Sequence, residues 1–206
     1  MTKRLIRRFL ATACATAGAI ACLPALPAAD LGEVALEEST QVGGQNLKLN
    51  GAGIAKRLVF KVYAMGLYLP DRTQHTDAVL ATDGPRRMTI LPLRDISGDD
   101  FSEAVMSDLS PERFTSPEVL QQLVALADAI GRQPGGLRRG DVLTLDWLPG
   151  IGAVVALNRK PLTAPMRNRA VYNALLMVWL GEKPTDPALK AKLLGGGSAD
   201  VREARL

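Results

Sequence analysis

Asn50-Gly-Ala-Gly-Ile-Ala-Lys-Arg-Leu-Val-Phe-Lys-Val-Tyr-Ala-Met-Gly-Leu-Tyr-Leu-Pro70 is the stretch from which the fold is read. From Leu58 to Leu69 it is rich in β-branched, aromatic and aliphatic residues and holds no proline, which predicts a twelve-residue strand of about 40 Å. Side chains alternate along a strand. Arg57, Val59, Lys61, Tyr63, Met65, Leu67 and Leu69 therefore share one face, and Phe60, Val62, Ala64, Gly66 and Tyr68 share the other. A lysine beside a phenol on an otherwise apolar face has two readings. Either that end of the face is wet, as most lysines are, or the face lines a cleft with a polar end. Gly66 marks a bulge or the close approach of another backbone.

Outward from this strand, Val34 to Glu38 reads as a first strand and Leu47 to Leu49 as a short one after the Gly43-Gly44 turn. Thr76 to Leu80 carries one helical turn, and Arg86 to Leu93 another strand beyond the Asp83-Gly84-Pro85 turn. Ser97-Gly-Asp-Asp100 opens a helix with Phe101, Val105, Met106 and Leu109 at helical spacing, ending near Ser110-Pro111. Ser97 caps its free amides, and the two aspartates suit the positive end of its dipole better than they suit a metal, for which no His or Cys stands near. Ser116-Pro117-Glu118 starts a second helix, and Gly131 stops it. Val142 to Leu148 and Gly152 to Leu157 form a hairpin around Pro149-Gly150. Helices follow at Pro165 to Leu180 and Pro187 to Leu194, and the Gly-rich, charged stretch from residue 195 to 206 reads as a flexible tail. Strands and helices come in runs without regular alternation. This predicts one α+β domain over residues 30–194, an antiparallel sheet covered on one side by helices.

The N-terminus carries Lys3, Arg4, Arg7 and Arg8, an apolar run from Phe9 to Leu26, and the small-residue site Leu26-Pro-Ala-Ala29. That is the pattern of a signal peptide over residues 1–29, with the mature chain starting at Ala29 or Asp30 and placed in the periplasm or outside the cell. A retained anchor and a lipidated Cys22 are the alternatives; Ala, Thr and Gly dominate the run, and Ala19 stands where a lipobox has a larger aliphatic. The leader holds four of the 25 Lys+Arg and no acid, so 21 cations face 21 acids beyond it. A neutral domain gives no reason to expect nucleic acid, and no stable membrane span is expected after processing. Both cysteines, Cys14 and Cys22, lie in the leader, which excludes disulfide and thiol chemistry from the domain.

With one histidine, His75, in a polar turn, Cys-His catalysis and ordinary zinc catalysis have no residues to use. A Gly-x-Ser-x-Gly elbow and a phosphate-binding Gly-Lys-Ser/Thr loop are both absent, and Gly51-Ala-Gly53 precedes a strand instead of opening a helix. No cofactor, metal or catalytic residue is predicted from these patterns.

Gly51-Ala-Gly53 followed by Phe60-Lys-Val-Tyr-Ala-Met-Gly-Leu-Tyr-Leu69 resembles the chalcone isomerase superfamily, and most of all its exported bacterial members. Asp100-Phe-Ser-Glu-Ala-Val-Met106, Asn168-Arg-Ala-Val171, Leu180-Gly-Glu182 and Pro187-Ala-Leu-Lys190 agree in order, so the resemblance spans roughly residues 33–194. It implies an open-faced β-sandwich, a large antiparallel sheet covered by helices with a ligand cleft between. The plant enzymes of the superfamily cyclise a chalcone, using an arginine and a threonine, tyrosine and water network to stabilise the developing enolate. Carried over by position, the arginine falls at Ala55, the strand threonine at Tyr63, the helix tyrosine at Phe101, the helix asparagine at Asp108 and the last-helix threonine near Val178. Lys56 or Arg57 is the nearest replacement for the missing guanidinium. Losing several such donors costs much of the transition-state stabilisation, since one oxyanion donor alone is worth about 3–4 kcal/mol.

Other members bind fatty acids, gripping the carboxylate with an arginine and a tyrosine. The resemblance therefore implies a small amphipathic ligand, a fatty acid or aromatic acid, held by Arg57, Lys61, Tyr63, Met65, Phe101 and Asp108, with the tail along Met65 and Leu67. An isomerase of flavonoid type and an envelope interaction protein with a vestigial cleft are the alternatives. Sequence does not set the oligomeric state.

Overall fold

In the computed structural model, residues 28–101, 103 and 116–196 are described. A small hairpin of β1 (Ala28–Asp30) and β2 (Ala35–Glu37) precedes the main sheet. That sheet contains β3 (Ser39–Val42), β4 (Gln45–Arg57), β5 (Phe60–Leu69), β6 (Arg86–Pro92), β7 (Leu143–Leu148), β8 (Gly152–Leu157) and β9 (Lys160–Pro161), side by side in chain order. All of its pairings are antiparallel. The helices are α1 (Thr76–Ala81), α2 (Pro117–Gly131), α3 (Arg169–Leu180) and α4 (Pro187–Leu193), and helical residues also begin at 98. The architecture is α+β, with α3 and α4 packed over one face of a large curled sheet. The β1–β2 hairpin covers part of the other face through Leu36, which packs with Val42, Leu47, Leu49 and Tyr68.

The predicted strand from Leu58 is corrected at its start. Leu58 and Val59 form a two-residue turn between β4 and β5, so Arg57 belongs to the preceding strand and Val59 to neither. Leu58 takes a φ of 56°, where glycine or asparagine is usual, and this is why no turn signal stands in the sequence. Gly43 and Gly44, with φ of 56° and 79°, make the matching turn between β3 and β4 in the expected chemistry.

Two bulges then decide which side chains share a face. Leu49 pairs with Tyr68 but Gly51 with Leu67, leaving Asn50 as the extra residue of β4. Ala55 pairs with Tyr63 but Lys56 with Lys61, leaving Val62 as the extra residue of β5. Each bulge inverts the alternation beyond it. Leu47 and Leu49 consequently face the β1–β2 hairpin, while Gly51, Gly53 and Ala55 face the helices. Asn50 is buried and ties three segments together: its amide donates to Leu193 O at 2.7 Å and Thr73 O at 3.0 Å, and its oxygen accepts from Thr73 N at 2.7 Å.

Helix starts follow their caps. Ser116 Oγ accepts from Val119 N ahead of Pro117, and Asp186 caps α4 through Leu189 N at 3.0 Å. Ser97 Oγ accepts from Asp100 N at 3.0 Å, as its capping role requires; the rest of that predicted helix lies outside the described residues. The last long helix starts at Arg169 rather than Pro165. Met166 is bridged to Ala153 in extended form, and Asn168 is the residue whose side chain caps Ala170 N.

One buried residue breaks the usual rule for charges. Arg86 is 0% exposed on the helix-facing side of β6, with no carboxylate bonded to it among the described residues. Its Nη1 donates to Val79 O at 3.0 Å and Asn173 Oδ1 at 3.1 Å, its guanidinium lies 4.9 Å from the Tyr172 ring centre, and Nε and Nη2 have no partner. Burial lowers its pKa from the ordinary arginine value. Replacing Arg86 by Met, which keeps the volume and removes the charge, is expected to leave stability unchanged or raise it by about 1–3 kcal/mol. Arg86→Ala, which leaves a void against Tyr172, should cost about 3 kcal/mol. Denaturant unfolding of both variants checks this, and a large loss in the Met variant would mean that the carbonyl and ring contacts outweigh desolvation.

Candidate functional site

Between the upper end of the sheet and α2, the helices do not close onto the strands. α2 rests on α3 through Val119, Leu123, Val171 and Ala174, and its other buried stripe, Leu126 and Ile130, looks across a cavity of about 750 Å³ toward the sheet. Tyr63, Ile90, Leu143 and Leu145 form the sheet wall, and Leu175, Val178 and Trp179 the α3 wall. These three α3 residues, spaced i, i+3, i+4, are half-buried within an otherwise buried helix face, because they border open space instead of strands.

Polar groups are confined to a few places. Trp179 Nε1 donates to Tyr63 Oη at 2.9 Å, pinning a phenol into the apolar wall. Arg57, Phe60 and Arg94 stand together at the mouth, with the Arg94 guanidinium 5.9 Å from the Phe60 ring centre. Asp95, Asp100, Glu103 and Asp186 also border the space. Of these, Asp95 is engaged by the Arg139 amide at 2.8 Å, and Asp186 is the α4 cap. Neither Arg57 nor Arg94 has an ion-pair partner among the described residues.

Of the residues singled out from sequence, Arg57, Tyr63 and Phe101 come together around this cavity. Lys61 does not. The Val62 bulge turns it to the opposite face, where its Nζ donates to Glu33 at 2.9 Å. Facing Lys61 holds the Glu33 carboxyl below its usual pKa, with a smaller contribution from Arg139. Met65 and Leu67 are corrected too: both are fully buried in the core and do not line this cavity. Asp108 lies outside the described residues. Phe60 and Val62, assigned to the far face by strict alternation, line the cavity for the same reason that Lys61 leaves it. Arg94, Trp179 and the α2 stripe were not singled out. The α2 and α3 residues carry the periodicity of ordinary core helices, which does not distinguish a cavity wall from a packed one.

The chalcone isomerase-like family profile matches residues 28–195. The chain belongs to the chalcone isomerase-like family. Among solved structures, a fatty-acid binding protein of Arabidopsis thaliana superimposes with a TM-score of 0.60 at 16% identity, over 81% of this chain and 94% of that one. That likeness concerns the fold. No curated protein matches the chain in sequence.

In this chalcone isomerase-like chain, the positions onto which the resemblance carried the plant enzymes' donors do border one space. Ala55, Tyr63, Phe101 and Val178 all line the cavity. What stands there is a methyl group, a phenol held by an indole, a phenyl ring and an isopropyl group. A developing oxyanion needs hydrogen-bond donors aimed at it. At three of these four positions the side chain can donate none.

Proposed function

We propose that this chain is an exported, non-catalytic binder of a small amphipathic acid, a fatty acid or an aromatic acid, and that it works in the periplasm. The single observation that carries the reading is the apolar cavity of about 750 Å³ with Arg57 and Arg94 at its mouth, neither of them ion-paired among the described residues. Its size is in the range of pockets that enclose small ligands. The acid's carboxylate lies between the two guanidinium groups, and its apolar part runs inward among Leu126, Ile130, Leu143 and Leu175. Ala55, Phe101 and Val178 support holding over transforming, because they contribute contact and no donor. The signal-peptide pattern of residues 1–29 supports export. An open cavity favours this reading over an interaction protein with a vestigial cleft.

Native mass spectrometry of the protein taken from its own host's periplasm is expected to show a co-purified organic acid. Dodecanoate, titrated calorimetrically into delipidated protein, should bind. Val178→Trp, which fills the α3 wall, should abolish that binding, and Arg57→Glu with Arg94→Glu should weaken it tenfold or more, about 1.4 kcal/mol. Absence of both a co-purified molecule and dodecanoate binding would overturn the reading. Cyclisation of a chalcone faster than in buffer would overturn its non-catalytic part.

A further inference from the structure

We infer that the β4–β5 tip is a docking surface for an anionic lipid bilayer. Lys56, Arg57, Leu58, Val59, Phe60 and Lys61 are six consecutive exposed residues with no acid among them. At the apex Leu58 is 90%, Val59 84% and Phe60 59% exposed. Large exposed apolar side chains are otherwise few among the described residues, and the register places them unequally. Val142, just before β7, stands at the same end of the sheet as this tip, and only Ile151, in the β7–β8 turn, stands at the opposite end.

Leu58 breaks two rules at once. It occupies the φ of 56° that a two-residue turn normally fills with glycine or asparagine, and it exposes nearly its whole side chain. Among the described residues neither cost has a return. A bilayer supplies one, by taking Leu58, Val59 and Phe60 into its acyl boundary while Lys56, Arg57 and Arg94 meet anionic headgroups. Among the described residues Glu33 is the carboxylate ion-paired with this hairpin, bonded to Lys61 at 2.9 Å and 3.8 Å from Arg139, while Asp95, Asp100, Glu103 and Asp186 border the cavity behind it. A protein partner fits less well, since three side chains at a hairpin tip fall far short of the roughly 800 Å² a side that a stable interface buries. No helix among the described residues is long and apolar enough to span a membrane. Arg57 and Phe60 also line the cavity mouth; passage of a ligand between bilayer and cavity rests on the proposed function, whereas docking does not.

The test places an indole at each end of the sheet in the full chain, by Val59→Trp and separately by Ile151→Trp, and adds vesicles of phosphatidylcholine and phosphatidylglycerol with brominated acyl chains. Quenching and a blue shift are expected for the Val59→Trp indole, over the background of the unsubstituted chain, and neither for that of Ile151→Trp. Adding Leu58→Asn and Phe60→Ser to the Val59→Trp chain should lower partitioning at least tenfold while circular dichroism shows the fold retained. Lys56→Glu should remove much of the dependence on phosphatidylglycerol. Equal quenching at both ends, no quenching at Val59→Trp, or a concentration-dependent blue shift without vesicles would each overturn docking, the last in favour of self-association. Native mass spectrometry on the same samples reads cavity occupancy separately, so a chain that carries ligand but leaves the tip indole unquenched overturns docking alone.

Discussion

Replacing Gly51 by alanine should cost about 3–5 kcal/mol and lower the melting temperature by about 10 °C. An added Cβ would collide with Lys192 O and stand 2.6 Å from Leu193 O, both backbone atoms at the end of α4. Backbone cannot swing aside as a side-chain tip can, so α4 must lift. Lifting it stretches the buried bond from Asn50 Nδ2 to Leu193 O, and Leu189 and Leu193, both buried on the sheet, lose their seat. Gly53→Ala is the control. Its Cβ would meet Leu189 Cδ1 at 2.9 Å, Lys192 Cδ at 3.0 Å and Lys192 Cβ at 3.2 Å, side-chain atoms with no backbone oxygen among them, so a smaller loss of about 1–2 kcal/mol is expected. Denaturant unfolding of the pair decides the matter; equal stability would mean that α4 does not lie on β4 as described.

Stability should also fall steeply above pH 10, by up to about 2.7 kcal/mol per pH unit. Tyr68 and Tyr172 are the cause. Burial pushes the Tyr68 phenol up to about 12, with Glu37 and Glu38 adding to the rise and Arg87 opposing it. Burial also raises Tyr172, whose hydroxyl donates to Leu145 O at 3.3 Å, although the Arg86 guanidinium acts the other way. Both folded values lie above the unfolded value of 10.0. The stability they contribute is therefore intact below pH 10 and is lost as pH rises from there toward the folded values, because only the unfolded chain releases the protons. Two protons per unfolding event set the slope. Denaturant titrations between pH 8 and pH 11.5 should show it, and Tyr68→Phe should halve it; a slope untouched by that substitution would assign the alkaline loss to other groups.

Much of this molecule is legible along the chain. Ser116-Pro117, Asp186-Pro187 and Asn168 mark helix starts because a cap and its amide partner lie within three residues of each other. Gly43-Gly44 and Pro149-Gly150 mark hairpins because the conformations they favour are properties of those residues themselves. Runs of strand without regular helical alternation led to an antiparallel sheet with helices on one side, and the blocks from Gly51 to Lys190 led to the family.

The candidate site was legible in part, as the long strand, Arg57, Tyr63 and Phe101. Its content depended on pairing. A bulge is a mismatch between two strands and leaves no mark in either one alone, yet the extra Val62 carries Lys61 out of the cavity and turns Phe60 in, and the extra Asn50 turns Gly51 and Gly53 beneath α4. Similarly, Met65 and Leu126 are equally apolar in sequence; one is sealed in the core and the other faces open space only because α2 is carried by α3 instead of by the strands. Local chemistry, repeated every two or every 3.6 residues, was enough for the sequence to determine the elements and their order. Which side chains meet across them was decided by strand register and helix seating, contacts between residues far apart in the chain that exist only once it has folded.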